Sequence, residues 1–378
     1  MPQTVLTVIS TLDRRGPVNV MKSIVEHYDG SRYRPVIATL SQERDTSRIA
    51  DFQRMGIRME QLQLTRIGSL ISGMRRLREV ANSVGADIVH CHCLRPDVLA
   101  AYAGLNCMKV STVHSDLESD YRNSHGTLQG TIMAYRQYAA LRRFDAVAAV
   151  SETAAQSAAE FGLRPEVIPS GVDLRTYVPT SNPEETRSTR KRLAWPEDRL
   201  VILHAGALRG LKRPVEAIAA FQDSAAPNNS LLVFAGDGPL LEQCKQTAKE
   251  CPNIIFLGHR SDLPELLGAA DAVVSNSTSE GLPMALLEAC ACGLRVIASD
   301  IEPHRYIATL FPEQVSLFPS GDNGALTDLL NALAVRRRRN PIHPPAGSLE
   351  AISAKTMSRR YQDLYDRVLS RTQTVTHN

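Results

Sequence analysis

The chain has 378 residues, 43% of them apolar and 22% charged, a balance that suits a folded globular protein of about two domains and excludes a disordered one. Lys and Arg number 43 against 40 Asp and Glu, a net charge of +3, far from the basic footprint of a nucleic-acid binder. No run approaches the roughly 18 uninterrupted apolar residues of a bilayer span, no basic segment precedes the first apolar run, and the seven cysteines are odd in number and scattered. Such thiols suit a reducing compartment, so the expectation is a cytoplasmic protein with no nucleic-acid partner.

In chain order, short apolar runs alternate with helical patterns. Val5–Ser10, Pro35–Leu40, Asp87–Cys91, Lys109–His114, Ala146–Val150 and Glu166–Ile168 read as strands. Between them fall helices over Val18–Tyr28, Ser47–Arg54, Ile67–Val84, Pro96–Asn106, Gln129–Leu141 and Glu152–Phe161, with a polar loop at Ser115–His125. The pattern breaks from Pro169 through the polar stretch Pro179–Glu185 and then restarts. Leu200–His204, Leu231–Ala235, Ile254–Leu257, Ala272–Ser275, Arg295–Ala298 and Val315–Phe318 form a second strand set. Arg336–Gly347 reads as a solvated linker, Leu349–Leu369 as an amphipathic helix, and Arg371–Asn378 as a frayed end. Alternating strands and helices call for parallel sheets. The expected fold class is α/β, with two Rossmann-like domains of parallel sheet: residues 1–170, 171–347, and a tail from 348 to 378. Ligands of such sheets bind beyond the carboxyl ends of the strands.

Two segments carry most of the chemistry. In Ser279-Glu-Gly-Leu-Pro-Met-Ala-Leu-Leu-Glu288, a strand ends, a polar loop follows, and Pro283 suits the first position of a helix. Glu280 then lies just before that helix and Glu288 about one and a half turns inside it. Ionised carboxylates are pure acceptors, able to hold paired sugar hydroxyls, and the free N–H groups between them suit phosphate oxygens. The alternative is a carboxylate favoured by the helix dipole plus an exposed helical Glu. In His204-Ala-Gly-Ala-Leu-Arg-Gly-Leu-Lys-Arg-Pro214, Arg209, Lys212 and Arg213 crowd the start of a helix whose dipole they oppose. A bound diphosphate would account for them, as would a solvated basic turn.

Further turns fit a nucleotide. Gly238, in Phe234-Ala-Gly-Asp-Gly-Pro-Leu240, and Gly16 each open a helix where a ligand approaches backbone closely. His259 and Arg260 offer backbone edges to a base, with Asp262 as a helix N-cap. His114 ends a strand before a polar loop. His90-Cys-His-Cys93 alternates across a strand, so its four side chains cannot converge on one metal ion. Cys290 and Cys292 read as small buried residues. The helix over Ile67–Val84 pairs an apolar face with Arg75, Arg76 and Arg78, either a core-facing helix or one lying on a membrane surface. No Gly-x-Gly-x-x-Gly follows a strand, which disfavours a dinucleotide oxidoreductase.

Taken together these segments resemble family 4 of the retaining glycosyltransferases, which have the GT-B fold. The resemblance rests on Glu280-x7-Glu288, Ile168-Pro-Ser-Gly-Val-Asp173, Gly236-Asp-Gly-Pro239 and Leu257-Gly…Asp262, in that family's order. It implies a nucleotide diphosphate sugar as donor, a UDP-sugar by expectation, and a glycan or lipid-linked glycan as acceptor. It also implies that no metal or other cofactor is needed, and that the protein can touch the cytoplasmic face of the inner membrane. Glu280 would contact donor-sugar hydroxyls, Glu288 the ribose, and Lys212 and Gly16 the diphosphate. His114 would stand near the transferred sugar, and the backbone of Gly281, Leu282, Pro283 and Met284 would complete the contacts. The family's usual Gly-Arg-Leu-x3-Lys has Ala207 at its arginine position, with Arg209 two residues on. A nucleotide-sugar epimerase and a non-catalytic partner subunit are the competing readings.

Overall fold

The computed structural model describes residues 1–13, 15–44, 47–65, 71–180, 182–335 and 342–375. The chain divides into two compact units, Met1–Gly171 with Ser353–Asn378, and Val172–Ile352. Unit 1 runs β1 (Gln3–Ile9), α1 (Gly16–Glu26), β2 (Tyr33–Thr39), α2 (Ile49–Arg54), β3 (Arg58–Gln61), α3 (Ile71–Val84), β4 (Ile88–His92), α4 (Leu94–Tyr102), β5 (Met108–Val113), α5 (Leu117–His125), α6 (Thr127–Leu141), β6 (Ala146–Ala149), α7 (Glu152–Ala159) and β7 (Glu166–Val167). Unit 2 runs α8 (Pro183–Arg192), β8 (Leu200–Ala205), α9 (Pro214–Asp223), β9 (Ser230–Ala235), α10 (Leu241–Thr247), β10 (Ile254–Gly258), α11 (Leu263–Ala269), β11 (Ala272–Ser275), α12 (Met284–Ala291), β12 (Arg295–Asp300), α13 (Glu302–Leu310), β13 (Val315–Pro319), α14 (Asn323–Ala334) and α15 (Ser348–Ala351). The last helix, α16 (Ala354–Val375), returns to unit 1.

Both units hold the expected parallel sheet. The strand orders are β3-β2-β1-β4-β5-β6-β7 and β10-β9-β8-β11-β12-β13. Each sheet grows outward from its first strand in one direction and then in the other, as in Rossmann-like domains. The reversal opens a crevice between β1 and β4 in unit 1 and between β8 and β11 in unit 2. The central strands β1, β4 and β8 are buried along most of their length and covered on both faces. In unit 1, Leu77, Ala81 and Val84 of α3 pack with α4 on one face, and Val20 and Ile24 of α1 with Tyr361, Leu364 and Tyr365 of α16 on the other.

Several expectations change. The apolar face of α3 is spent on the core, with Leu77, Ala81 and Val84 buried, and the helix turns Arg75, Arg76 and Arg78 to solvent; residues 67–70 of that prediction lie outside the described residues. Ser115–His125 is not a loop, because Asp116 caps α5 by accepting hydrogen bonds from the N–H groups of Glu118 and Ser119. Pro179–Glu185 gives way to α8, whose Asn182 cap, Glu184 and Glu185 first turn and Arg190–Arg192 last turn all complement the helix dipole. The helix expected to start at Leu349 is two pieces, and α16 extends through residues 371–375. The six residues 336–341 of the expected linker lie outside the described residues, as do 376–378.

The short α8 is anchored by one buried ion pair. Arg190 donates to Asp271 at 2.6 Å, with side chains only 4% and 6% exposed, and also to the carbonyls of Ala269 and Arg199. Asp271 in turn accepts the N–H of Val201 at 2.7 Å. Asp271→Ala, which strands a buried guanidinium, is expected to cost about 3–5 kcal/mol of stability. A urea midpoint shifted by under a third of that would show the pair to be replaceable.

Candidate functional site

At the crevice of unit 2, two loops bring opposite charges together. After β8, the backbone turns at Gly206 (φ 150°) and a single 3-10 turn over Gly210–Lys212 delivers Lys212, with Arg213 in the left-handed region (φ 46°) just before Pro214 opens α9. After β11, the loop 276–283 delivers Glu280. Lys212 Nζ and Glu280 Oε1 form an ion pair, with side chains 20% and 10% exposed. Because β8 and β11 are neighbours, this pair flanks the topological switch point, the place where ligands of such sheets bind.

Glu280 is further held by Ser277 Oγ, which donates to it at 2.7 Å, and Ser275 and Ser277 hydroxyls lie 3.1 Å apart. Ser299 Oγ donates to the Ser277 carbonyl, and His304 Nδ1 lies 2.7 Å from the Ser299 carbonyl, which fixes the proton on Nδ1. Burial pushes the Glu280 carboxyl up, but the Lys212 charge and the hydrogen bonds from Lys212 and Ser277 pull it the other way, and the group is held below its ordinary value. Glu280 is therefore ionised. Glu288 is the opposite case. Buried one turn into α12 and hydrogen-bonded to Tyr177, it is pushed up to about 7 by burial. A carboxyl on that edge can both donate to and accept from a ribose diol.

The remaining unit 2 predictions fall around this core. Met284 starts α12, with Pro283 one position earlier than expected, at the N-cap, so Gly281, Leu282 and Pro283 form the approach to a free helix N-terminus. Gly238 needs to be glycine because a Cβ there would meet the Leu208 carbonyl oxygen at 2.4 Å; its neighbour Gly236 would meet that of Gly206 at 1.8 Å. The close approach inferred from these glycines is thus made by the loop that carries Arg209 and Lys212. Arg213 does not point to a ligand: its Nε donates to Glu216 at 3.1 Å. At the end of β10, His259 is exposed, while Arg260 is tied to Asp262, which sits at the N-cap position of α11 without capping it through its side chain.

In unit 1, His114 follows β5 directly, and its Nε2 lies 2.9 Å from Nδ1 of His92. His92 packs at a tilt against His90, centroids 4.4 Å apart, and His90 is held by Tyr365 and Thr112 at 2.8 Å each. Cys91 points the other way, toward the Pro96 carbonyl. Among the described residues no group of three His, Cys, Asp or Glu side chains has the arrangement to hold a metal ion. Burial pulls His90 to about 3 and His114 to about 4. Gly16 begins α1 with open space where a side chain would stand. Sequence reasoning missed His92 as the partner of His114, and also Asp97, which burial lifts to about 7 against hydrogen bonds from Ser111 and Gln137. Two residues beyond His114 begins a depression of about 650 Å³ lined by polar side chains of α5, α6 and α7, among them Asp116, Ser119, Arg122 and Ser157.

These histidines set the acid limit of the fold. His90, His92, His114, His204 and His304 are all lowered by burial, so the unfolded chain takes up protons from about pH 6.5 downward while the folded chain does not. Their contribution is present above pH 6.5 and is lost as pH falls toward 4. Asp97 and Glu288, both raised to about 7, act with the opposite sign, stabilising at low pH and losing that contribution as pH climbs through 7. Five groups outweigh two, and the urea midpoint is expected to fall steadily between pH 6.5 and 4.5. A midpoint that holds or rises over that range would contradict the neutral, buried histidines.

Comparison with known proteins adds sequence and fold. The sequence model described as glycosyl transferases group 1 matches residues 185–337, and that described as glycosyltransferase family 4 matches residues 14–176. The chain is 30% identical over 227 residues to UDP-Gal:alpha-D-GlcNAc-diphosphoundecaprenol alpha-1,3-galactosyltransferase of Escherichia coli, covering 57% of this chain and 58% of that one. It thus spans less than two thirds of that relative's length. It is 25% identical over 314 residues to alpha-monoglucosyldiacylglycerol synthase of Streptococcus pneumoniae, covering 79% and 70%. Among solved structures, Anabaena HepE in complex with UDP and glucose aligns over the full length of both chains with a TM-score of 0.74 at 18% identity. WaaG, a glycosyltransferase involved in lipopolysaccharide biosynthesis, aligns over 97% and 98% with a TM-score of 0.70 at 16% identity. At such identities the likeness carries the fold, which is GT-B.

Proposed function

Because the chain belongs to glycosyltransferase family 4, we propose that it moves a hexose from a nucleotide diphosphate sugar to a hydroxyl of a glycan or lipid-linked acceptor, in the synthesis of a bacterial polysaccharide or glycolipid. The donor in this reading is a UDP-sugar, the anomeric configuration is retained, and no metal is required. The observation that carries the proposal is the meeting of Lys212 and Glu280 at the switch point of unit 2, with Glu288 one turn inside the helix that follows. A cation for a diphosphate, a carboxylate for sugar hydroxyls and a carboxyl for a ribose are the three kinds of group that a sugar nucleotide calls for. The E. coli relative is named for UDP-Gal, which favours uridine as the base.

The bond from the anomeric carbon to the diphosphate oxygen breaks, and negative charge builds on the departing diphosphate. Lys212 and the N–H groups at the start of α12 stabilise that charge, which is where such a site gains most of its rate. The acceptor oxygen bonds to the anomeric carbon on the face the diphosphate leaves, and its proton passes to a diphosphate oxygen. In unit 1, Gly16 and His114 keep the roles the family implies. His114, neutral and braced by His92, serves as a hydrogen-bonding group, and the polar depression beyond it suits a glycan.

Incubating the protein with UDP-hexoses and a lipid-linked glycan fraction, in EDTA, should release UDP and give a product whose anomeric coupling by NMR matches the donor's. Nucleotide binding without turnover would favour the partner-subunit reading, and an inverted product would overturn retention. Membrane contact is supported by α6, where Leu128, Ile132 and Tyr135 recur at helical spacing, 78%, 51% and 55% exposed, beside the exposed Arg136 and Arg142. Apolar side chains flanked by arginines suit an anionic bilayer surface. Co-sedimentation with phosphatidylglycerol vesicles at low salt is expected, and its loss in Leu128→Ser with Ile132→Ser would place the contact on α6.

A further inference from the structure

Lys212, the cation assigned to the diphosphate, and Glu280, the carboxylate assigned to the sugar, neutralise each other. Lys212 cannot receive a diphosphate at full strength while Glu280 holds it, and Glu280 cannot receive hydroxyls while it holds Lys212. Neither side chain has water enough to make the exchange free, since the pair is largely buried. Glu280 is moreover fixed on its other side by Ser277, so Lys212 is the partner that must be given up when a ligand enters.

Resting on the donor reading above, we propose that the Lys212–Glu280 pair makes the site discriminate a sugar nucleotide from the free nucleotide that remains after transfer. A sugar nucleotide compensates both partners at once: its diphosphate takes Lys212 and its sugar hydroxyls donate to Glu280. A free nucleoside diphosphate compensates only Lys212 and leaves Glu280 as an ionised carboxylate in a nearly closed position, where an unpaired charge is costly. Glu280 therefore opposes free nucleotide and favours the donor. After transfer it retakes Lys212 and promotes release of the product. The site keeps its specificity by a competing internal anion as well as by attractive contacts to the sugar.

The test is calorimetric titration of UDP, GDP, UDP-glucose and GDP-mannose into the full chain and into Glu280→Gln, which is isosteric and removes only the charge. Free UDP or GDP, whichever the wild type binds, is expected to bind Glu280→Gln about tenfold more tightly, the order of one partly buried charge pair, while the advantage of the sugar conjugate over the free nucleotide shrinks. Glu280→Asp, which retracts the charge by one methylene, is expected to tighten the free nucleotide by a smaller factor, and serves if the glutamine variant melts early. Free nucleotide binding that is unchanged or weaker in the folded variants overturns the discrimination and leaves the donor reading intact. Failure of every nucleotide to bind the wild type and both variants overturns the donor reading itself.

Discussion

Lys212→Ala is expected to lower the rate of transfer about 10³-fold, because it removes the side-chain cation that the proposal assigns to the departing diphosphate. Deleting a single charge-stabilising group from a preorganised site costs roughly 10²–10³ in rate, and the loss of ground-state grip adds to that in kcat/KM. Stability should fall as well, since Glu280, its side chain only 10% exposed, is left with the hydrogen bond from Ser277 alone, so the rate is read on protein shown to be folded. Lys212→Arg should recover part of the loss, as the guanidinium restores charge but presents a planar fork where the site holds a point charge. A Lys212→Ala protein within tenfold of the wild-type rate would show that the diphosphate is held elsewhere.

The second large effect comes from a residue without a functional group. Gly236→Ala would place a methyl carbon 1.8 Å from the Gly206 carbonyl oxygen, a distance no packing tolerates. The two loops are also tied through their backbones, Gly206 N–H to the Ala235 carbonyl, Leu208 N–H to that of Asp237 and Leu240 N–H to that of Leu208. Backbone cannot rotate aside as a side chain can, so the turn after β9 must push the turn after β8, and Lys212 moves with it. We expect a loss of about 3 kcal/mol or more in urea unfolding, together with loss of nucleotide binding in whatever protein remains folded. An unaltered midpoint would mean that the loop approach is looser than this.

How much of this was legible in the sequence depends on whether the signal was local. The alternation of apolar runs placed both sheets because central parallel strands are apolar on both faces and need no partner to be recognised. The edge strand β3, Arg-Met-Glu-Gln, has a single apolar residue and escaped notice because its pairing with β2 alone makes it a strand. Helices α5 and α8 bury little apolar surface, and their caps and charges were present in the sequence but were outweighed by the missing apolar stripe. At the site, Glu280, Lys212 and Glu288 could be named from the spacing of motifs on strand ends. Their supports could not. Ser277 is one of many serines until its distance to Glu280 is known, and His304 bears on the site only through Ser299 and Ser277. In unit 1, the His-Cys-His-Cys pattern correctly argued against four convergent ligands, but only the fold shows that one of those histidines braces His114. The arginine-bearing α3 shows the limit of amphipathicity: an apolar face announces burial without saying in what.

The proposed function requires unit 2 to hold a sugar nucleotide through Lys212 at the diphosphate and Glu288 at the ribose. The most direct measurement is calorimetric titration of UDP-glucose, UDP-galactose, GDP-mannose and their free nucleotides into the wild-type chain, Lys212→Ala and Glu288→Ala. The conjugates of one base are expected to bind the wild type, and each variant to weaken that binding by about tenfold to 10²-fold, the worth of one charge-assisted contact. Binding that survives both substitutions unchanged, or no binding of any sugar nucleotide to the wild type, would contradict it.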